Sequence, residues 1–203
     1  QSLSRSGSKN FLVGISGGVD SLVLLTIINQ IKDINQINIR AIHINHNLSK
    51  NSKDMLNCCL DICQRHNIEL ITREIDNTPT TNIEEYLRLK RYHLIFDSLN
   101  DDEALVLGHH LNDQIETFFY RLFRGSSPIG LSSMREISEF NNHIVCRPLL
   151  ELPKNNIYEY ARSVKLRYVE DESNYDLKYQ RNYIRNKIIP EIKKEWPGIN
   201  KVM

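Results

Sequence analysis

The side chains of this sequence best suited to chemistry lie in a short turn behind the apolar run Phe-Leu-Val-Gly-Ile. The turn consists of Ser16, Gly17, Gly18, Val19, Asp20 and Ser21. Its two glycines let the backbone approach a ligand closely and adopt positive φ angles. A helix that begins here adds free N–H groups and a partial positive charge. The turn therefore predicts a phosphate site, to which Ser16 and Ser21 add hydroxyl donors. Asp20 orients the loop or helps hold Mg²⁺ on a phosphate.

A second group of candidates follows a later apolar stretch, in the segment GHHLNDQIET. Asp113 and Glu116 are three residues apart and share one face of a predicted helix, and His109 lies just before it. Paired carboxylates suit the binding of an ammonium group or a metal, or the acceptance of a proton from an amine. Two other interpretations stay open: acids favoured by the helix dipole, and a His/Asp/Glu metal site. We interpret His110 as structural.

Several arginines are candidates for contact with phosphate. Arg181 and Arg185 are four residues apart on the last predicted helix. They either pair with the acids of the segment before them or reach RNA phosphate, which suits the planar guanidinium fork. Arg124, at the end of the helix that carries Asp113, is a loop anchor or a phosphate contact. Arg91 lies on a basic helix face that, taken alone, is an ordinary solvated surface.

The elements that must position these residues alternate between strand-like and helix-like patterns. The predicted strands cover residues 11–15, 39–44, 68–75, 104–108 and 143–146. The predicted helices cover residues 21–31, 54–66, 112–123, 153–165 and 178–189, with a further one from Thr81 or Asn82 to about residue 99. Such alternation is typical of a doubly wound, mostly parallel α/β sheet of Rossmann-like type, here with a small helical C-terminal extension. A parallel sheet places its ligands beyond the carboxyl ends of its strands, where both candidate groups fall.

Composition narrows the functional class. The chain has 203 residues, 40% of them hydrophobic, and a net charge of +1, which argues against a uniformly basic nucleic-acid binder. No apolar run approaches the roughly 20 residues that a membrane helix needs, so we expect no membrane association. The four cysteines form no CxxC pair, which predicts reduced, structural thiols and a cytoplasmic location.

The order of motifs along the chain is more specific than any one of them. SGGVDS is followed by HINHNLSKNS, IEEYLRLKRY, GHHLNDQIET, RLFRG, RPLL and finally RNYIRNKIIP. The first of these resembles the PP-loop of the N-type ATP pyrophosphatases, since the lysine of a Walker motif is missing. The whole order resembles the N-terminal catalytic domain of the tRNA(Ile)-lysidine synthetase family, over roughly residues 11–192.

The resemblance implies a reaction and roles for the candidate residues. That family uses ATP and L-lysine to convert the wobble cytidine of the CAU anticodon of tRNA(Ile) to lysidine, through an adenylated cytidine. The resemblance implies that residues 16–21 bind ATP with Mg²⁺ and that Asp113 and Glu116 bind lysine. Arg91 takes the place of the family's ATP-side arginine, His109 that of its active-site histidine and Asp20 that of its PP-loop aspartate. A homodimer is left open.

The domain division and two rival functions complete the expectations. We expect residues 1–10 to be a flexible arm or a cloning remnant, and residues 11–150 to be the catalytic domain. Residues 151–203 are expected to be a helical extension that continues into a tRNA-binding region. One rival is a PP-loop tRNA thiolase, which needs a CxxC or paired catalytic cysteines. The other is a non-enzymatic nucleotide-binding module, which has no reason to keep Arg91, Asp113 and Glu116.

Overall fold

The fold is a six-stranded, mostly parallel sheet with helices on both faces. The computed structural model describes residues 2–46, 50–76, 79, 83–132 and 134–199. The strands are β1 (Asn10–Ile15), β2 (Asn38–Asn45), β3 (Glu69–Glu74), β4 (Glu103–Val106), β5 (Ile137–Phe140) and β6 (His143–Cys146). Their order across the sheet is β3-β2-β1-β4-β6-β5, and only the β5–β6 pair is antiparallel. The predicted fold class is confirmed.

The helices connect the parallel strands and form the C-terminal extension. They are α1 (Ser2–Arg5), α2 (Val19–Asn35), α3 (Ser52–Arg65), α4 (Ile83–Phe96), α5 (Leu111–Phe123), α6 (Pro128–Leu131), α7 (Lys154–Ser163), α8 (Gln180–Tyr183) and α9 (Ile189–Glu195). A 3₁₀ turn covers Glu172–Tyr175, and a π-helical segment, Ile184–Ile188, joins α8 to α9. The predicted helices are found with shifts of a few residues at their ends.

The two faces of the sheet bury separate apolar clusters because side chains alternate along each strand. On β1, Phe11 and Val13 pack with α2, α3 and α7, whereas Leu12 packs on the opposite face with Ile95 of α4. A strand buried on both faces reads as a continuous apolar run, as expected for the centre of a parallel sheet.

Helix α5 buries its apolar face against the C-terminal extension. Ile115 and Phe119 of α5 form a third cluster with Ile184 and Ile189. The C-terminal extension therefore packs directly against the helix that carries Asp113 and Glu116.

Strand β5 is an addition to the predicted sheet. Asn141 and Asn142 both have positive φ, 50° and 63°, and connect β5 to β6 as a two-residue hairpin turn. Asparagine tolerates this conformation, which a type I′ turn requires at both central positions. The sequence indicated only β6, because Ile-Ser-Glu-Phe is short and half polar.

The last helix does not end before Pro190 as predicted. The π-helical turns of Ile184–Ile188 lead directly into α9, where Pro190 occupies the first turn. Proline has no N–H group, so one backbone hydrogen bond of this continuous helical stretch is missing at Pro190. The π-helical segment directly before it, in which the Ile189 N–H bonds to the Ile184 carbonyl, is a local departure from α-helical geometry at this point.

Several of the N-terminal residues that were expected to form a flexible arm pack onto the fold. Leu3 is buried in the cluster of α2 and α3, the Ser6 hydroxyl donates to the carbonyl of Leu3, and Arg5 pairs with Glu136 at 2.9 Å. Two other predictions fall partly outside the described residues: the start of the third helix at Thr81 or Asn82, and the centre of the HINHNLSKNS motif. The division into a catalytic domain and an extension stays a prediction.

Candidate active site

The candidate residues meet at the point where the strand order of the sheet reverses. The chain runs from β1 outward through β2 and β3, and then returns to add β4 on the other side of β1. The loops after β1 and β4 therefore diverge at the carboxyl edge of two adjacent parallel strands. A crevice of this kind is the usual ligand site of an open α/β sheet. Here it holds the turn of residues 16–21 and the segment that begins α5.

The turn after β1 has a backbone that only glycine allows. Gly17 has a φ of +84°, and a Cβ atom on it would lie 2.6 Å from the carbonyl oxygen of Met55. The Ser21 hydroxyl accepts the Ser16 N–H at 3.0 Å and donates to the Gly18 carbonyl at 3.1 Å, which closes the turn. Gly18 precedes α2 without a capping side chain, so the first N–H groups of α2 are not capped. The turn can therefore offer these N–H groups to an anion.

Gly108 brings the second loop against the first helix. A Cβ atom at this position would lie 3.2 Å from the backbone of Asp20 and from the Cα atom of Ser21. Its absence lets the loop after β4 rest on the first turn of α2. His109 and His110 follow directly, so the two histidines are placed beside the phosphate turn.

Asp20 faces a histidine, a lysine and an arginine across the crevice. Its carboxylate lies 3.6 Å from Nε2 of His110 and 3.8 Å from Nζ of Lys154. Burial alone would raise the pKa of Asp20, but His110, Lys154 and Arg185 together hold the pKa below its usual value. Asp20 is therefore ionised at neutral pH. Its Oδ1 atom is buried and has no hydrogen-bond partner among the described residues.

His110, which the sequence analysis interpreted as structural, links the two candidate groups. Its ring Nδ1 accepts the backbone N–H of Asp113 at 3.4 Å, and Oδ2 of Asp113 accepts the backbone N–H of His110 at 2.9 Å. This reciprocal capping box starts α5. Because the other ring nitrogen of His110 faces Asp20, the buried imidazole lies between Asp20 and Asp113. A residue that caps α5 thus also joins the phosphate turn to the carboxylates.

Glu116 is not an open carboxylate. Its two oxygens accept hydrogen bonds from Nε and Nη2 of Arg185 at 2.6 and 2.8 Å, and its side chain is almost fully buried. Burial raises the pKa of Glu116 and the Arg185 guanidinium opposes this shift. Arg185 also lies 3.7 Å from Oδ1 of Asp113. The expected pair of open carboxylates is therefore a triad in which Arg185 joins both, and the partner of Arg185 is Glu116 and not the acids of segment 166–176.

Arg91 of α4 and His109, which follows β4, form a second group of candidates whose charges influence each other. Burial lowers the pKa of Arg91, and the nearby Arg88 and Arg181 lower it further. Burial also lowers the pKa of His109 to about 4 and that of His46 to about 4, so both imidazoles are neutral at pH 7. Nδ1 of each histidine is buried without a hydrogen-bond partner among the described residues. Arg91 and His109 are thus near each other, as expected for groups that face one ligand.

Arg124, at the end of α5, and Arg181 of α8 both approach Tyr120, which follows Glu116 by one turn of α5. Their guanidinium groups approach the Tyr120 ring at 5.2 and 5.1 Å from its centroid. Arg124 also donates to the Tyr120 hydroxyl at 2.6 Å, and Arg181 lies 3.7 Å from Glu84. These two arginines form a separate surface beside the crevice, whereas Arg185 points into the site.

The residues at the crevice fit magnesium bound chiefly by a ligand's phosphates. No cluster of three or more His, Cys, Asp or Glu side chains in the described part of the chain could hold a metal by itself. Mg²⁺ commonly takes one or two carboxylates and completes its octahedron with phosphate oxygens and waters. Ionised Asp20, with one unpartnered oxygen beside the phosphate turn, provides such a carboxylate.

The cysteines lie away from this chemistry. Cys58, Cys59, Cys63 and Cys146 are all free and buried. Burial raises the pKa of each thiol, that of Cys63 to about 11. Cysteine nucleophiles and ligands act as thiolates, so these four are structural. None of the helices in the described ranges has the length and hydropathy of a bilayer span.

Comparison with known families agrees with this geometry. A family model described as a PP-loop domain matches residues 1–192. The chain belongs to the PP-loop family. The turn of residues 16–21 is the candidate for its PP-loop.

Curated relatives of this PP-loop chain carry one name. A tRNA(Ile)-lysidine synthase of Buchnera aphidicola subsp. Acyrthosiphon pisum is 47% identical over 96% of the chain. A tRNA(Ile)-lysidine synthase of Legionella pneumophila strain Paris is 40% identical over 94% of it. The resemblance that the motif order indicates is confirmed. In both cases the chain spans 44% of the relative, less than half of its length.

Solved PP-loop structures share the fold at low sequence identity. A U34-tRNA thiolase of Methanococcus maripaludis, solved with its [4Fe-4S] cluster, superposes with a TM-score of 0.74 at 19% identity, covering 95% of this chain and 68% of the thiolase chain. A phosphoadenylyl-sulfate reductase of Candida auris, in a phosphate complex, gives 0.55 at 13% identity, covering 88% and 83%. At such identities the likeness shows the fold alone.

Proposed function

We propose that this chain is the catalytic part of an enzyme that joins L-lysine to the wobble cytidine of the CAU anticodon of tRNA(Ile), consuming ATP. The observation that carries the proposal is the link through His110 between the PP-loop and the Asp113 carboxylate. It connects a site for an activating nucleotide to a site for an amine. The names of the 40–47% identical relatives support the same reaction.

In the first step the cytosine carbonyl oxygen attacks the α-phosphorus of ATP. The bond between the α-phosphorus and the bridging oxygen breaks, and pyrophosphate leaves. The N–H groups at the start of α2 and the hydroxyls of Ser16 and Ser21 bind the phosphates. Arg91 adds a positive charge that stabilises the negative charge developing on the phosphates. Asp20, together with the phosphates, would hold Mg²⁺, which would supply further charge neutralisation.

In the second step the ε-amine of lysine attacks the ring carbon that carries the activated oxygen. The carbon–oxygen bond breaks and AMP leaves with that oxygen, because an AMP group leaves far more readily than oxide. The amine must give up its proton, and Asp113 is the carboxylate placed to bind the ammonium and accept it. His109, neutral at pH 7, faces the same space and orients the base or the nucleotide.

Glu116 serves the lysine site through Arg185 in this proposal. Because both oxygens of Glu116 are taken by Arg185, the ammonium meets Asp113 first. The 3.7 Å gap between Arg185 and Asp113 is long enough for an incoming ammonium to compete. Direct binding of lysine by Glu116 then requires that Arg185 moves away, and Asp113 and Glu116 share one ligand only in that state.

The substrates set where the enzyme works. A tRNA, free lysine and ATP are all present in the cytoplasm, where buried, reduced cysteines are also stable. The PP-loop, Asp113, Glu116 and Arg91 all come from one chain, so the chemistry does not require a second copy. Homodimerisation therefore stays an open feature of the proposal.

The two rival functions are less well supported. Thiolation calls for accessible thiolates, whereas the four thiols here are buried with raised pKa values. A plain nucleotide-binding module has no use for a buried carboxylate–guanidinium triad beside the phosphate turn. No observation on this chain favours either one over lysine transfer.

A two-readout assay tests the proposal. The protein is mixed with Mg²⁺, ATP and a tRNA(Ile) transcript with a CAU anticodon, with and without radiolabelled L-lysine. We expect pyrophosphate release that needs the tRNA, and label in the tRNA only when ATP is present. A transcript whose wobble base is uridine is the matched control and should take no label. Pyrophosphate release without label would rule out lysine as the nucleophile.

A further inference from the structure

A groove lies beside the active site, between α5 and the C-terminal extension. Its volume is about 350 Å³, within the range of ligand-binding clefts, and Tyr120, Phe123 and Tyr183 contribute three aromatic rings to its lining. Phe123 is 58% exposed and Tyr183 is 49% exposed, although both are large and apolar for the surface. Neither ring is used by the steps proposed above.

The charges around the groove are basic. Arg124 and Lys178 line it together with the aromatic rings, and no acidic residue is among the described residues of its lining. Arg124 and Arg181 both stand over the Tyr120 ring, and Arg181 is balanced in part by Glu84. Interleaved aromatic rings and cations form the kind of surface that binds single-stranded nucleic acid, because bases stack on rings and cations follow the phosphates.

The position of the groove favours nucleotides adjacent to the reacting base. Tyr120 and Phe123 follow Glu116 on α5 by four and seven residues. At 1.5 Å per residue, these rings lie about 6–11 Å farther along the helix axis than the buried carboxylate. A loop of RNA that places one base in the crevice can therefore lay its neighbours along this groove.

We propose that the groove binds unpaired nucleotides of the anticodon loop next to the target cytidine, by stacking on Phe123 and Tyr183 and by phosphate contacts from Arg124 and Lys178. This inference rests on the proposed function, since it takes an RNA loop as the substrate. A groove that covered a protein segment would need apolar contact but would have no use for a described lining with two basic and no acidic side chains.

Binding of a labelled RNA hairpin tests the groove directly. The probe is a fluorescein-labelled stem-loop with a seven-nucleotide loop that contains CAU, measured by fluorescence anisotropy with the full chain. We expect Phe123→Ala and Tyr183→Ala each to weaken binding about ten-fold, in line with the loss of one stacked base. Arg124→Gln and Lys178→Gln should each reduce the slope of log K against log salt by about one.

Two controls keep the test specific. Trp196→Ala removes an exposed aromatic ring that does not line the groove, and should leave hairpin binding unchanged. Because Phe123 and Tyr183 are exposed, their alanine variants should keep the thermal midpoint of the unchanged chain and its affinity for ATP. A variant that loses ATP binding as well is replaced in the test by Phe123→Leu, which keeps the apolar volume but not the ring.

The outcomes separate this proposal from the enzymatic one. Unchanged hairpin affinity in the ring variants, or no measurable hairpin binding by the unchanged chain, would overturn the groove. Weaker hairpin binding in the ring variants supports it even if no lysine label is ever transferred. The lysine assay tests the proposed reaction, whereas the anisotropy measurement tests RNA binding in the groove.

Discussion

At the scale of single residues, Asp113 has two roles that make different demands. One oxygen accepts the His110 N–H in the capping box, and the other faces Arg185 and the open crevice. An asparagine keeps an acceptor oxygen for the cap but can neither carry the negative charge nor accept a proton. The two roles can therefore be separated by one substitution.

We predict that Asp113→Asn keeps pyrophosphate release and loses lysine transfer by roughly 10²–10⁴-fold, the usual contribution of a general base. Pyrophosphate and radiolabelled lysine are measured in the same reactions. Asp20→Asn is the comparison and should stop both readouts, since it acts at the phosphates. If Asp113→Asn slowed both steps equally, the division of roles between these carboxylates would be wrong.

The neutral histidines predict an acid sensitivity of the fold. His46 has a pKa of about 4, below its ordinary value of 6.5, so the unfolded chain takes up a proton that the folded chain refuses. The stability from neutral His46 is complete above pH 6.5 and is lost as the pH falls toward 4. From pH 7 to pH 5 this loss is about 2 kcal/mol.

We predict that His46→Gln makes the free energy of unfolding less dependent on pH by about that amount. Urea unfolding at pH 7 and at pH 5 measures the difference. His93→Gln is the matched control, because the His93 ring is exposed. Equal pH dependence in the two variants would contradict a buried neutral His46.

The sequence could predict which side chains gather at the crevice but not how they pair. The glycines and the spacing of Asp113 and Glu116 indicated the two loops, because local spacing determines which residues share a turn or a helix face. The pairing of Glu116 with Arg185 joins residues 69 positions apart, so no local pattern contains it. The position of His110 beside Asp20 could not be predicted, because it depends on the neighbour that Gly108 admits, which is a tertiary contact.

At the scale of elements, the PP-loop depends on close packing between the start of α2 and α3. Gly17 combines a φ of +84° with a Cβ position only 2.6 Å from the Met55 carbonyl oxygen. Gly125 has a similar φ of +73°, but no atom lies within 4 Å of its Cβ position. A side chain at Gly17 would therefore meet both backbone strain and a steric clash, whereas one at Gly125 would meet backbone strain alone.

We predict that Gly17→Ala lowers the thermal midpoint much more than Gly125→Ala and abolishes ATP binding, since the loop must shift away from α3. Gly125→Ala carries only the left-handed backbone cost, about 1 kcal/mol, and should bind ATP normally. Calorimetry of unfolding and of ATP binding measures both effects. Equal losses in the two variants would show that strain alone, and not the contact with Met55, governs the turn.

The Glu116–Arg185 pair joins α5 to the C-terminal extension. Removing Arg185 leaves the Glu116 charge almost fully buried without its partner, which typically costs about 3–5 kcal/mol. We predict such a loss in the free energy of unfolding for Arg185→Leu. Smaller losses are expected for Glu116→Leu, because Arg185 is partly exposed and keeps Asp113 nearby, and for the double variant. Denaturant titrations of the four proteins give the coupling free energy. Additive losses would indicate that the two charges do not depend on each other.

The bounds of helices and strands were predicted well where the apolar pattern of the sequence was clear. They were missed where the conformation depends on contacts with other parts of the fold. The strands β1, β2 and β4 are strongly apolar and were placed closely. The hairpin of β5 and β6 was missed because β5, Ile-Ser-Glu-Phe, is half polar, whereas the equally short β6 is mostly apolar. The passage of the last helix through Pro190 was missed because the π-helical segment before it has no sequence signal.

At the scale of the whole molecule, the burial of the thiols leads to a test of the proposed function against sulfur transfer. All four cysteines are free and buried among core side chains. We predict that iodoacetamide treatment of the native protein leaves both pyrophosphate release and lysine transfer unchanged, and labels four cysteines only after unfolding. Mass spectrometry counts the modified thiols. Rapid loss of activity with one thiol modified would point to a catalytic cysteine.

The overall architecture was open to prediction because alternation of strands and helices is a property of the sequence alone. The topology then places the carboxyl ends of β1 and β4 side by side, and thereby joins motifs about 90 residues apart. The net charge of +1 gave no indication of an RNA substrate. Basic residues are gathered locally, around Arg91 and along the groove, and a sum over the chain hides such clusters.

The identity of the modified nucleoside tests the central claim most directly. The tRNA(Ile) transcript is digested to nucleosides after reaction with ATP, Mg²⁺ and L-lysine, and the products are weighed by mass spectrometry. The account predicts one cytidine per tRNA, at the wobble position, heavier by lysine less one water. Unmodified cytidine at that position after full consumption of ATP, or a product in which sulfur has replaced oxygen, would contradict it.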